Sequence, residues 1–437
     1  MGLMGALRWR HRRRWAAAAA MAALLALAWT AWAAEQKKEA PPAPALAPAV
    51  RIPVAPLGYV APSPAYLRLR FSFNSLDFID PDHLLFTFHK MGLLTRIPDD
   101  DANDTDQEIE AEVIDIKTGK VQRTADWRMH DRQRYLWALR NGEFLVRVRN
   151  SFFLMDQSLE LRPYLDFDSD VEEVQISPGR GLLLIEVKKL LGSKPGADAE
   201  APPLFSESDV RQTRTEILLL RPGEKKVLGA GETLNATYVP LLEDGILSVD
   251  EGKKAKQWVV MKISLDKTRK IVGELTSECA PQLTTLSDDA VLAQNCPAHG
   301  SGTDVSVLAL QGGILWQDHW LSKYIWARFE SSVDGSRFAD ESLEMNREVG
   351  STEYFGEDDV QSQPVGVFDT RTGRLVLVEN ASPILSAGQN FALSADGRRF
   401  AILRNGAIEV YDLPAVETTV GESGKGKGKS AKGHVQR

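Results

Sequence analysis

The chain is poor in the residues that most often announce chemistry. It has two cysteines and seven histidines in 437 residues. That supply is too thin for a zinc cluster built on repeated Cys/His spacing. No Gly-x-Ser-x-Gly elbow, His-Glu-x-x-His motif or Gly-rich phosphate loop occurs, so the sequence offers no local catalytic signature. It also lacks a basic excess. The formal net charge of −8 argues against nucleic acid as a main partner, because that role needs a cationic footprint. Beyond the first 33 residues no apolar run approaches the roughly 20 residues that cross a bilayer.

What is present begins with an export-like leader over residues 1–33. Arg8, Arg10 and the run His11 to Arg14 are followed by an Ala/Leu-rich stretch and by Ala31-Trp32-Ala33, a small-x-small cleavage site. The alternative is an uncleaved anchor; the cleavage motif favours removal and a periplasmic or secreted protein. Residues 34–64 are Pro/Ala-rich and read as an extended linker, since proline lacks the amide donor. Residues 417–437 are Gly/Lys-rich and predict a disordered tail. The folded domain is therefore expected over 65–416.

Within it a hairpin signature recurs. Its clearest copies are Asp115-Ile-Lys-Thr-Gly-Lys-Val121 and Asp369-Thr-Arg-Thr-Gly-Arg-Leu375, with weaker ones near Asp156, Arg221, Asp266 and Gln311 and a truncated one at Asp412. Each unit has too little apolar surface to stand alone and must stack on its neighbours. The last unit shows Gln389 to Leu393, a Ser394-Ala-Asp-Gly397 turn, Arg399 to Leu403, an Asn405-Gly406 turn and Ala407 to Tyr411. Asn-Gly between alternating apolar residues is a strong hairpin signal. Four such strands per unit predict an all-β fold, a seven-bladed β-propeller of four-stranded antiparallel blades. The seventh unit lacks one strand, and the N-terminal strand Tyr66 to Phe73, which alternates well, is expected to supply it and close the ring.

These turns and strands resemble those of secreted bacterial β-propellers with WD-repeat-like or quinoprotein-like blades. The resemblance implies an architecture and leaves activity open, because propellers host many functions.

Three insertions, 91–108, 190–212 and 340–363, fall between the second and third strands of their units and are expected on one face with the blade-to-blade links. The links carry Trp127, Arg128, His130 and Arg132, and His319, Trp320, Lys323 and Tyr324. Aromatics with Arg are typical of interface hot spots, while buried tryptophans between blades are the plainer alternative. The first insertion partly fits a calcium loop, with Asp99, Asp101, Asn103 and Thr105 at alternating positions and Glu110 at the twelfth, where a bidentate carboxylate would close the coordination. Asp104 in place of the turn glycine favours a solvated acidic loop, and no other cofactor is indicated. His83 and His89 lack Cys/His company and read as structural. Cys279 and Cys296 lie symmetrically about the Ser287-Asp288 turn, which predicts a cross-hairpin disulfide; two packed thiols are the alternative. From these features the expected function is an exported, non-enzymatic propeller that binds a protein or envelope component through the insertion-bearing face. The alternative is a hydrolase or oxidoreductase with its site in the propeller channel.

Overall fold

The computed structural model describes residues 46–63, 74–90, 106–130, 134–190, 213–296, 302–320, 324–347, 349, 353, 355–385 and 387–416. They fall within one compact unit, Ala43–Gly426. Seven antiparallel sheets form the blades of a β-propeller, and no α-helix occurs among the described residues.

Blade one runs Asn74–Asp80, His83–His89, Gln107–Asp115, Val121–Met129 from the axis outward. The inner strands of blades two to seven are Leu136–Ala138, Val171–Ile176, Leu241–Leu242, Gln282–Ser287, Tyr324–Ser331 and Phe391–Leu393. Blade six has a fifth strand, Val360–Ser362, which pairs with the second strand of that blade.

The repeated sequence signatures close two kinds of turn. In the turn between third and fourth strands, Asp115 Oδ1 accepts from the Thr118 amide at 2.7 Å and from its hydroxyl at 2.8 Å, and Gly119 takes φ +64°. Asp369, Thr372 and Gly373 repeat the arrangement. Between first and second strands, the Ser394 hydroxyl donates to Asp396 at 2.8 Å and accepts the Arg399 amide at 2.9 Å. Ser332, Asp334 and Arg337 do the same. A short polar side chain thus supplies the hydrogen bonds that the reversing backbone lacks.

Burial follows the ladder outward. Second strands are apolar on both faces because each blade is covered by two neighbours, as in Leu84, Leu85, Phe86 and Phe88. Fourth strands are largely exposed, as in Val121–Met129. The apolar clusters therefore straddle blade pairs, for example Leu85 and Ile109 of blade one with Phe144 and Val146 of blade two.

Closure by an N-terminal strand is present, but Tyr66 to Phe73 is not the strand seen. Val50–Pro53 pairs antiparallel with Ala407–Asp412, Ile52 opposite Ile408, and Tyr66 to Phe73 lies outside the described residues. The supposed linker thus contributes a strand. Ile52 and Val54 alternate into the interface between blades seven and one, and Tyr59 packs on Phe86 and Phe88 there. Pro53, which ends the strand, does no harm at a sheet edge, where an amide donor is dispensable. The third insertion is also shorter than expected, because Asp340 to Met345 continue the second strand Arg337–Met345.

Cys279 and Cys296 are disulfide-bonded with Cα atoms 5.6 Å apart. They flank the hairpin Gln282–Ser287 and Ala290–Asn295, whose register sets Gln282 opposite Gln294. Bonds of this kind persist in oxidising compartments, so the disulfide fits an exported protein. No helix among the described residues is long and apolar enough to cross a membrane.

Candidate functional site

Inner strands bring seven blades to one axis, and side-chain alternation decides what faces it. In blade six Arg328 and Glu330 share a face toward the axis, while Phe329 between them turns outward to stack on Trp320 at 6.0 Å. In blade three Glu173 and Gln175 line the channel while Val174 joins the apolar core. In blade one Leu76 and Phe78 enter the core and Asp77 lies between them at the channel, 2 % exposed.

The result is a cavity of about 240 Å³ lined by residues from blades one to six. Three arginines meet there, Arg134, Arg180 and Arg328, with the carboxyl groups of Asp77, Glu173 and Glu330. Gln389, just before the inner strand of blade seven, ties the group together. Its Nε2 lies 2.7 Å from Glu330 Oε2, 3.1 Å from the Leu76 carbonyl and 3.4 Å from Asp77 Oδ1. One carboxamide nitrogen has two N–H donors, fewer than the acceptors competing for them.

Burial and the neighbouring Asp77 push the Glu330 carboxyl up to about 7, against the pull of Arg180, Arg328 and Arg134. Asp77 is raised by burial too, offset by Arg134, the Ser75 hydrogen bond at 2.8 Å, and the other arginines. Burial and Arg328 draw Arg134 down to about 9, so it is still cationic at neutral pH. Arg134 donates to the Leu136 carbonyl at 2.8 Å and lies over the Trp137 ring at 5.5 Å. Arg328 donates to the Gly388 carbonyl at 2.7 Å. Arg180 approaches Glu330 at 3.9 Å, beyond hydrogen-bond reach.

Among the described non-glycine residues with positive φ, which include Arg149, Leu159, Lys256 and Lys267, Arg180 is the one that lines the cavity. It has φ +59°, a left-handed conformation that costs an ordinary residue on the order of 1 kcal/mol. The same turn position, three after the serine, is Gly335 in blade six and Gly397 in blade seven, at φ +69° and +62°. An arginine occupies a glycine position, and its side chain reaches the channel.

The residues expected to form the binding face are distributed otherwise. Trp127 is buried between blades one and two, and Trp320 between blades five and six, so both are packing residues. Trp127 and Arg128 belong to the fourth strand Val121–Met129, and His319 and Trp320 to Ile314–Trp320, not to the links. Arg128 and His130 converge on Asp106 at 2.5 and 2.9 Å, and His319 meets Asp304 at 2.7 Å. Arg132 and Lys323 lie outside the described residues, and Tyr324 opens the inner strand of blade six. Of the calcium candidates, Asp99, Asp101, Asn103 and Thr105 lie outside the described residues; Glu110 sits in the strand Gln107–Asp115, opposite Asp126. Among the described residues no group of three or more His, Cys, Asp or Glu is arranged to hold a metal ion.

No family model matches the chain, and no curated protein matches it. Solved structures similar to it include the acylaminoacyl peptidase of Pyrococcus horikoshii, 10% identical with TM-score 0.47, over 81% of this chain and 54% of that one. A Mycobacterium tuberculosis puromycin-hydrolyzing peptidase is 11% identical with TM-score 0.41, over 87% and 58%. The β-propeller domain of the trilobed protease from Pyrococcus furiosus is 10% identical with TM-score 0.43, over 78% and 96%. The chain thus spans little more than half of the first two, and the likeness at this level is one of fold. The expectation of a non-enzymatic protein acting through the insertion-bearing face is corrected by the geometry: the converging titratable groups lie in the channel, where the alternative reading placed its site.

Proposed function

We propose that the propeller channel is the site of a hydrolase acting on a small substrate, with Glu330 as its general base. One observation carries this reading. A carboxyl group titrating near 7 faces a solvent-reachable cavity, anchored at 2.7 Å by Gln389 and ringed by guanidinium groups. A base whose pKa lies near the working pH is both deprotonated in useful proportion and basic enough to take a proton. Glu330 would remove the proton of an attacking water. Arg134, Arg180 and Arg328 would stabilise the negative charge that develops on the attacked group, as preorganised positive charge lining the cavity. Burial, with like-charge repulsion from Asp77 added to it, keeps the Glu330 pKa high.

The leader over 1–33 and the disulfide support export, with the hydrolase acting in the periplasm or outside the cell. Incubation of purified protein with nitrophenyl esters, aminoacyl nitroanilides and a nitrophenyl phosphate tests the reading. Expected is turnover of at least one class, with an acid limb near pH 7 and a loss of 100-fold or more in kcat for Glu330→Gln, on the order of removing a general base. Turnover that Glu330→Gln leaves intact, or none in any class, overturns it.

A further inference from the structure

We infer that Arg134, Arg180 and Arg328 form a subsite for a compact, multiply charged oxyanion, a phosphate group or clustered carboxylates, with Arg180 as its principal contact. The inference deepens the channel reading and rests on it for the site's location.

Four observations converge. First, three guanidinium groups are gathered in one cavity, and they repel one another. Such an arrangement is stabilised when an anion enters among them, and guanidinium donors match phosphate and carboxylate oxygens in geometry. Second, among the described residues their donors are only partly used. Arg134 spends two nitrogens on the Leu136 carbonyl and on Gln389 Oε1 at 3.5 Å, and Arg328 spends one on Gly388. Among the described residues, the Arg180 side chain has an ion-pair contact with Glu330 at 3.9 Å and no hydrogen bond. Third, burial raises the carboxyl groups facing them, Asp77, Glu173 and Glu330, and takes Glu330 to about 7, so Glu330 is only partly ionised at neutral pH. Fourth, Arg180 stands at a left-handed turn position that blades six and seven give to glycine. Local folding would favour glycine there. A strained residue whose side chain enters a cavity points to a role for that side chain.

A cavity of about 240 Å³ has room for a phosphate or a tricarboxylate. Ser177, Pro178 and Arg180 line it from the turn between first and second strands, which fixes the side from which the anion is met. In an antiparallel blade that turn lies on the face opposite the insertions.

Isothermal calorimetry on the full chain at low salt tests the subsite, with inorganic pyrophosphate and citrate as separate probes. The expected result is one-to-one binding of at least one probe, and which one binds separates phosphate from carboxylate recognition. Arg180→Gly should weaken binding at least ten-fold while the melting temperature is held or rises, because glycine suits the backbone there. Lys254→Ala, removing an exposed cation outside the cavity, should leave binding unchanged. No heat with either probe, unchanged affinity in Arg180→Gly, or equal weakening by Lys254→Ala overturns the inference. Binding does not require turnover. A protein that binds pyrophosphate and hydrolyses none of the nitrophenyl or nitroanilide substrates overturns the hydrolase reading and leaves the subsite standing.

Discussion

The interface between blades seven and one and the interface between blades three and four solve the same packing problem with opposite materials. The first is apolar and dense, with fully buried Leu76, Leu84, Phe86 and Phe88 meeting Ile52, Leu403 and Ile408. The second has only Leu182, Leu184 and Leu241 buried in its apolar cluster. Polar links take over there. Gln175 donates to the Thr237 carbonyl at 3.3 Å and accepts the Val239 amide at 3.0 Å, and Glu186 accepts the Thr237 amide at 3.0 Å. On the rim Glu243 joins blades two, three and four, accepting from Arg140 and Ser177 at 2.5 Å each and from the Gly181 amide at 3.0 Å. The difference has a physical logic. Ring closure is where an open edge would start unfolding, so it carries apolar area. The third and fourth blades carry Glu173, Arg180 and Tyr238 to the channel, and charged side chains there leave less surface for apolar packing.

The largest effect should come from breaking the closure. Deleting residues 46–63 removes the fourth strand of blade seven with buried Ile52, Val54 and Tyr59, and should abolish the cooperative thermal transition of the whole ring. As a milder form, Ile52→Ala should cost about 2–5 kcal/mol by denaturant titration. On the thin side, Leu241→Ala should fall at or below the lower end of that range, because fewer buried neighbours lose contact. Equal losses at the two interfaces would erase the distinction.

Two carboxyls of blade six, Glu330 at the channel and Glu341 in the second strand, sharpen it through pH. Glu330 and Glu341 are raised from 4.5 to about 7, chiefly by burial. A carboxyl with a raised pKa binds its proton more tightly in the folded chain than in the unfolded one. Its stabilising contribution is therefore complete below about pH 4.5 and is lost as pH climbs to about 7. Each should remove on the order of 1–3 kcal/mol across that window, and Glu330→Gln should flatten the slope by its share. Chemical denaturation at pH 5 and pH 8 reads both. At the acid end Asp115 and Asp266, held low by their threonine hydrogen bonds, act in the opposite sense. The smallest effect belongs to Arg180→Gly, which should be neutral or stabilise by up to about 1 kcal/mol in the same titration, by relief of the left-handed backbone.

The blades were legible in the sequence because their turns are written locally. Asp115, Thr118 and Gly119 act on one another within a few residues, and so do Ser394, Asp396 and Arg399. The disulfide was legible for the same reason, as Cys279 and Cys296 flank one hairpin. The closing strand was not, because Val50-Arg-Ile-Pro53 is short and set among prolines, whereas Tyr66 to Phe73 has the stronger alternation. What makes Val50–Pro53 a strand is its partner Ala407–Asp412, some 350 residues away. A channel site was the alternative reading, but its residues escaped notice for a related reason. Asp77, Arg134, Glu173, Arg180, Glu330 and Gln389 come from six different strands or turns, and none has a neighbour that marks it. One signal was present. Aligning Ser177-Pro-Gly-Arg180 with Ser332-Val-Asp-Gly335 and Ser394-Ala-Asp-Gly397 shows arginine where the turn calls for glycine.

The central claim is that a channel carboxyl is poised for proton transfer near neutral pH. A carbon-13 NMR titration of side-chain carboxyls, with the Glu330 resonance assigned by its loss in Glu330→Gln, measures that directly. The account predicts a midpoint near 7, moving upward when Asp77 is present and downward in Asp77→Asn, where the neighbouring charge is gone. A Glu330 midpoint at the ordinary glutamate value near 4.5, indifferent to Asp77→Asn, would contradict it.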